Sequence, residues 1–105
     1  MLMSEKLESP MVVLRKRAKQ EDPAIIAAAL VGLFPELRKA RGVSPWQSEV
    51  FDQWTQSQGD GARASASFIL TVWGGAGAFA LSDLRDISPE SRALIAAWVS
   101  HPFWL

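Results

Sequence analysis

The sequence predicts an all-α domain of about five helices, over residues 10–20, 23–34, 45–57, 61–73 and 89–100, joined by short turns. Three observations carry that prediction. Four prolines follow a residue able to cap a helix, in the pairs Ser9-Pro10, Asp22-Pro23, Ser44-Pro45 and Ser88-Pro89. A capping oxygen accepts a hydrogen bond from an orphan backbone N–H, while proline has no N–H to lose and its φ is already helical. Each pair therefore predicts a helix start, at 10, 23, 45 and 89. Apolar residues then recur at helical spacing after each start. The third observation is the stretch Phe68 to Leu84, whose apolar run is interrupted at Gly74, Gly75 and Gly77. Glycine reaches the left-handed conformation that closes a helix, so a helix is expected to stop at Trp73. The other helices are expected to pack around this stretch.

Taken in order, residues 1–9 read as a frayed N-terminus and 10–105 as one helical domain. The first helix places Met11, Leu14 and Ala18 on one side and gathers cations towards its end, where they suit the helix dipole. The second is apolar nearly all round, with Ile25, Ile26, Ala29, Leu30, Leu33 and Phe34, and so belongs inside a bundle. Its alanines and Gly32 permit close approach of neighbours. Pro35 disfavours a helical Phe34, which predicts a break there. One or two further turns are expected before Gly42.

The third helix shows Trp46, Val50 and Trp54 at i, i+4 and i+8, widened by Phe51. Gly59, Asp60 and Gly61 form a turn short enough to favour an antiparallel pair. The helix that follows carries Ala62, Ala66, Ile69 and Trp73, with Phe68 and Val72 beside them. Residues 78–81 are the only strand-like segment, and 82–86 read as a single tight turn. In the last helix Leu94, Ile95, Trp98 and Val99 are expected to face inward, and Glu90 and Arg92 outward. His101-Pro102 ends it. Phe103-Trp104-Leu105 either seals the core of its own chain or docks on a partner.

Composition narrows the chemistry. A chain of 105 residues, 49 % apolar and with five tryptophans, builds a core without staples. It holds no cysteine, which excludes disulfides, thiol nucleophiles and thiolate metal sites, and a cytoplasmic setting is expected. The uncharged run Ala24 to Phe34 is eleven residues long, whereas a bilayer needs about 20. Residues 1–9 carry Glu5 and Glu8 and do not read as a signal peptide.

Net charge is zero but unevenly spread. Residues 11–41 hold seven Lys/Arg against three acids, a net +4, and residues 42–105 hold three Arg against six acids, a net −3. Two partner faces follow. One is basic: Arg15, Lys16, Arg17 and Lys19, joined by Arg38, Lys39 and Arg41. The other is acidic: Asp83, Asp86 and Glu90, with the aromatic tail of Phe103 and Trp104. The basic cluster is either a solvated face or a contact for phosphate or an acidic partner.

Familiar catalytic patterns are missing from the sequence. His101 is the only histidine, too few for a metal cluster or a Ser-His-Asp array. The GGAG turn lacks the Lys-Ser/Thr of a phosphate loop and follows a helix rather than a strand. Asp83, Asp86 and Glu90 could hold Mg²⁺, yet they are also ordinary helix-start residues. A helix-turn-helix about Gly59 to Gly61 would need base-reading side chains early in its second helix. Arg63 is followed there by residues that read as core. No catalytic, cofactor or metal site is expected.

The segment Arg63 to Leu84 joins an aliphatic helix ending in Trp73, a glycine turn and Phe79-x-Leu81-Ser82-Asp83-Leu84. Over this fifth of the chain it resembles small helical proteins encoded by phages, plasmids and other mobile elements. The resemblance implies an accessory protein that works by binding, including inhibition of a host defence complex, as an anti-CRISPR protein does. The expected function is thus a non-catalytic protein that binds a larger protein or nucleoprotein and modulates it, as a monomer or small homo-oligomer. The alternative is a module that binds nucleic-acid phosphates weakly through the basic helix 10–20.

Overall fold

The computed structural model describes residues 8–75 and 79–105. Its α-helices are α1 (Pro10–Arg17), α2 (Pro23–Leu33), α3 (Ser48–Gln56), α4 (Asp60–Gly74) and α5 (Pro89–Ser100), with 3-10 turns at Pro35–Leu37 and Leu81–Asp86. No strand occurs among the described residues, and the fold is all-α. The expected frayed segment 1–9 lies outside the described residues as far as 7. Glu8 and Ser9 are both engaged: Glu8 pairs with Lys16, and Ser9 caps α1.

Three of the four cap-proline pairs open a helix. Ser9 Oγ accepts the Met11 N–H at 3.2 Å, Asp22 Oδ1 the Ala24 N–H at 2.8 Å, and Ser88 Oγ the Ser91 N–H at 3.2 Å. The fourth does not. Ser44-Pro45 is a cis peptide within a turn, and α3 begins at Ser48 instead of 45. The competing structure is a tight loop closed by the Gln47 N–H on the Gly42 carbonyl at 2.7 Å. Gly42 has φ +77°, and a Cβ there would lie 2.6 Å from the Phe51 nitrogen and 2.7 Å from the Gln47 oxygen. Only glycine allows this approach of the loop to the start of α3.

The late start of α3 breaks the expected 46–50–54 stripe. Trp46 lies off the helix and packs its ring on Phe51 at 5.2 Å and on Trp73 at 5.4 Å. The core residues of α3 are Phe51 and Thr55, while Val50 is exposed and Trp54 half-buried. Other boundaries moved less. α1 stops at Arg17 and residues 18–20 form a turn. α2 stops at Leu33, because Phe34 is extended (φ −94°, ψ 120°) before Pro35. Ile25 is exposed and Gly32 has no close neighbour, so α2 is not enveloped on all sides.

The centre of the bundle is α4, which touches α2, α3 and both 3-10 turns, while α1 packs on α2 and α5. It buries Ala64, Ser65, Ala66, Phe68, Ile69 and Val72. The Phe68 ring gathers Phe34 at 5.8 Å, Phe79 at 5.8 Å and Trp98 at 5.3 Å. Aromatic pairs of this kind favour tilted and edge-on geometry. α4 closes on Gly75, whose φ is +68° and whose N–H bonds the Thr71 carbonyl at 2.7 Å. Gly77 and Ala78, expected in the glycine turn and a strand-like segment, lie outside the described residues.

α5 buries Ser91, Ile95 and Trp98, but Val99 faces solvent rather than the core. The tail returns to its own chain. The Phe103 carbonyl accepts the Trp98 indole N–H at 2.9 Å, and the Leu105 N–H bonds the Val72 carbonyl at 2.9 Å. Trp104 meets Trp98 edge-on at 4.9 Å and stays 61 % exposed.

Three substitutions at the helix ends have expected outcomes. Ser88→Ala removes the α5 cap and should cost about 1 kcal/mol, read as a lower denaturation midpoint. Gly75→Ala places a side chain at positive φ and should destabilise by about 1–2 kcal/mol. Gly74→Ala, in the last helical position with open space around it, should stabilise by about 0.5 kcal/mol. Equal melting of the two alanine variants would show that the left-handed residue does not set the end of α4.

Candidate binding surface

The cations of α1 do not form the free patch that their density suggests. Arg17 makes a two-pronged bond to Glu21, Nε to Oε2 at 2.7 Å and Nη2 to Oε1 at 2.9 Å. That bond holds the Glu21 carboxyl below its ordinary range and the Arg17 guanidinium above its own. Lys16 pairs with Glu8. Arg15 is half-buried, with its Nε enclosed and without a partner among the described residues. Lys19 remains exposed.

A second cationic segment is better presented. Between the Pro35–Leu37 turn and Gly42, the side chains of Arg38, Lys39 and Arg41 are exposed and in no ion pair among the described residues. Both ends of this segment are fixed. At one end Leu37 is buried, and the Glu36 carboxylate accepts the Ser88 N–H at 2.9 Å, the Ser91 hydroxyl, and the Ser65 hydroxyl at 3.4 Å. Burial pushes the Glu36 carboxyl up, but the Ser91 hydroxyl and the Ser88 N–H outweigh it, and the group sits below its ordinary value. At the other end is the Gly42 turn. The sequence marks Gly42 as a stop but not the Glu36 anchor. Glu36 reads there as an ordinary acid after a proline, and its partners are 29 to 55 residues away.

Beside this segment lies a cleft of about 450 Å³ lined by Arg41, Val50, Gln53, Trp54, Ser57 and Gln58. Gln58 Nε2 and Ser57 Oγ both donate to the Trp54 carbonyl, at 3.3 and 3.0 Å, so they finish the end of α3. The Trp54 ring is stacked on Phe51, at 6.4 Å and 23°.

The acidic face is less coherent. Asp83 Oδ2 accepts the Ala80 N–H at 2.9 Å, a local capping role. Asp86 and Glu90 are exposed, but Arg85 and Arg92 share their segment, and Arg92 bonds the Leu84 carbonyl at 3.3 Å. Phe103 packs inward and only Trp104 is offered to solvent. His101 is exposed, and its backbone N–H closes α5 on the Trp98 carbonyl at 3.1 Å. No cluster of three His, Cys, Asp or Glu suited to a metal occurs among the described residues. Among the same residues, no helix is long and apolar enough to cross a membrane. Comparison of the chain with protein-family models, curated proteins and solved structures finds no match.

The Glu36 anchor has a pH signature. A carboxyl depressed in the folded state stabilises fully above its unfolded value and loses that contribution as pH falls through the folded one. Glu36→Gln should therefore cost about 1.5 kcal/mol at pH 7, the usual range for hydrogen bonds to a charged group. The gap between parent and variant should close on acidification below the ordinary carboxylate value. Denaturation at a series of pH values checks this, and a gap independent of pH would contradict it.

Proposed function

We propose that the protein is a small non-catalytic binding protein that docks on a larger protein or nucleoprotein complex and modulates it. Inhibition of a host defence complex, in the manner of an anti-CRISPR protein, is the concrete form this takes. The observation that supports the reading is the exposed segment Arg38, Lys39 and Arg41, unpaired among the described residues and braced at both ends. Exposed cations on a segment held at both ends favour a complementary anionic surface and raise the rate of encounter with it. The cations of α1 are less suited, since Glu8 and Glu21 already occupy two of them.

The second reading is direct binding of nucleic-acid phosphates. It moves from helix 10–20 to the same Arg38 to Arg41 segment, and the adjacent indole of Trp54 favours it.

Charge reversal separates the faces. Replacing Arg38, Lys39 and Arg41 by Glu should abolish capture of the partner from host cells and shift stability by less than about 0.5 kcal/mol, as for most exposed sites. Reversal at Arg15 and Lys19 should leave capture intact. Capture lost only on reversing Asp83, Asp86 and Glu90 would place the contact on the acidic face.

A further inference from the structure

We propose that the cleft between Arg41 and Trp54 takes one nucleotide of an unpaired nucleic-acid strand, its base against the indole and its phosphate at the guanidinium. This rests on the reading above that the segment Arg38 to Arg41 is the binding surface, and it names a chemistry for it.

Three features of the cleft point the same way. Its volume, about 450 Å³, lies in the range of small-molecule sites. Its α3 wall is Val50, Gln53 and Trp54, at i, i+3 and i+4 on one helix face, continued by the C-cap Ser57, and the acids of that helix, Glu49 and Asp52, are not among the lining residues. An anion therefore meets Arg41 without a carboxylate among the lining residues. Trp54 is half-buried and backed by Phe51 at 6.4 Å and 23°, which holds its ring as a platform. Base-on-aromatic stacking is tolerant of sequence, because every base has a π-face.

The polar groups divide the work. Ser57 and Gln58 are occupied by the Trp54 carbonyl. The Gln53 side chain makes no hydrogen bond among the described residues and is exposed, so it can offer both donor and acceptor to a base edge. Arg38 and Lys39, exposed on the same braced segment, lie in sequence next to Arg41 and can meet the neighbouring phosphates of a strand. An acidic peptide would use the cations but not the indole. A duplex hides its base faces, so an unpaired strand is the occupant that uses both.

Fluorescence anisotropy with the full chain tests this. The probes are a labelled oligothymidylate of one site size, roughly 4–16 nucleotides, the matching duplex, and a labelled oligoglutamate of equal charge. The single strand should bind tightest. Trp54→Ala should weaken it by roughly 5- to 150-fold, and Trp54→Phe by less. Arg41→Gln should flatten the log–log salt dependence by about 0.7, the value for one phosphate contact on a single strand. Arg41 is exposed, so that variant carries the test if Trp54→Ala melts early. The proposal is overturned if the strand does not bind. It is also overturned if strand, duplex and peptide bind alike and neither Trp54→Phe nor Arg41→Gln changes the result. Failure of strand binding, while reversal of Arg38, Lys39 and Arg41 still abolishes partner capture, removes the nucleotide site and keeps the docking surface.

Discussion

The Glu36 carboxylate ties together three parts of the chain that are remote in sequence. It receives the backbone N–H of Ser88, the hydroxyl of Ser91 and the more distant hydroxyl of Ser65. Ser65 and Ser91 are fully buried, and a buried hydroxyl without an acceptor is costly. The anion also faces the first turn of α5, where the helix dipole favours negative charge. A local 3-10 turn is in this way fastened to both α4 and α5. The cationic segment that follows is thereby tethered at its first end.

How far the sequence discloses this fold depends on the range of the interactions. Caps act over two or three residues, and Ser9, Asp22 and Ser88 were all legible. Ser44 carries the same local signal, yet the turn at Gly42 overrides it through contacts with Gln47 and Phe51. A positive φ at Gly75 could be expected from glycines after an apolar helix, whereas the role of Gly42 as more than a stop needed the folded loop. Periodicity places Val50 and Trp54 on an apolar stripe, but it cannot tell the middle of a core from its edge, and these two line the edge. The Glu36 network has no local pattern at all.

The candidate surface was legible only in part. Arg38, Lys39 and Arg41 stood out as charges, but as an appendix to the denser cluster on α1. Charge density alone does not separate paired cations from unpaired ones. Arg17 and Glu21, four apart in sequence, pair in the fold, and the denser cluster is partly neutralised as a result. In the second segment the cations are in no ion pair among the described residues, and the backbone is held at Glu36 and at the Gly42 turn. That property belongs to tertiary structure.

The aromatic residues fall into two packs with no ring contact between them among the described residues. Trp46 and Trp54 pack on Phe51, and Trp73 packs on Trp46. Trp98 and Trp104 gather about Phe68, Phe79 and Phe103. With no tyrosine in the chain, all ultraviolet emission excited at the red edge comes from these indoles. Trp104, largely in water, emits at longer wavelength than buried Trp98 and meets a soluble quencher first. The edge-on contacts between indoles, Trp46 with Trp73 and Trp98 with Trp104, couple their transitions and give each pack its own near-ultraviolet dichroism. The molecule thus carries two intrinsic spectroscopic labels, one beside the Arg41 cleft and one on the returning tail.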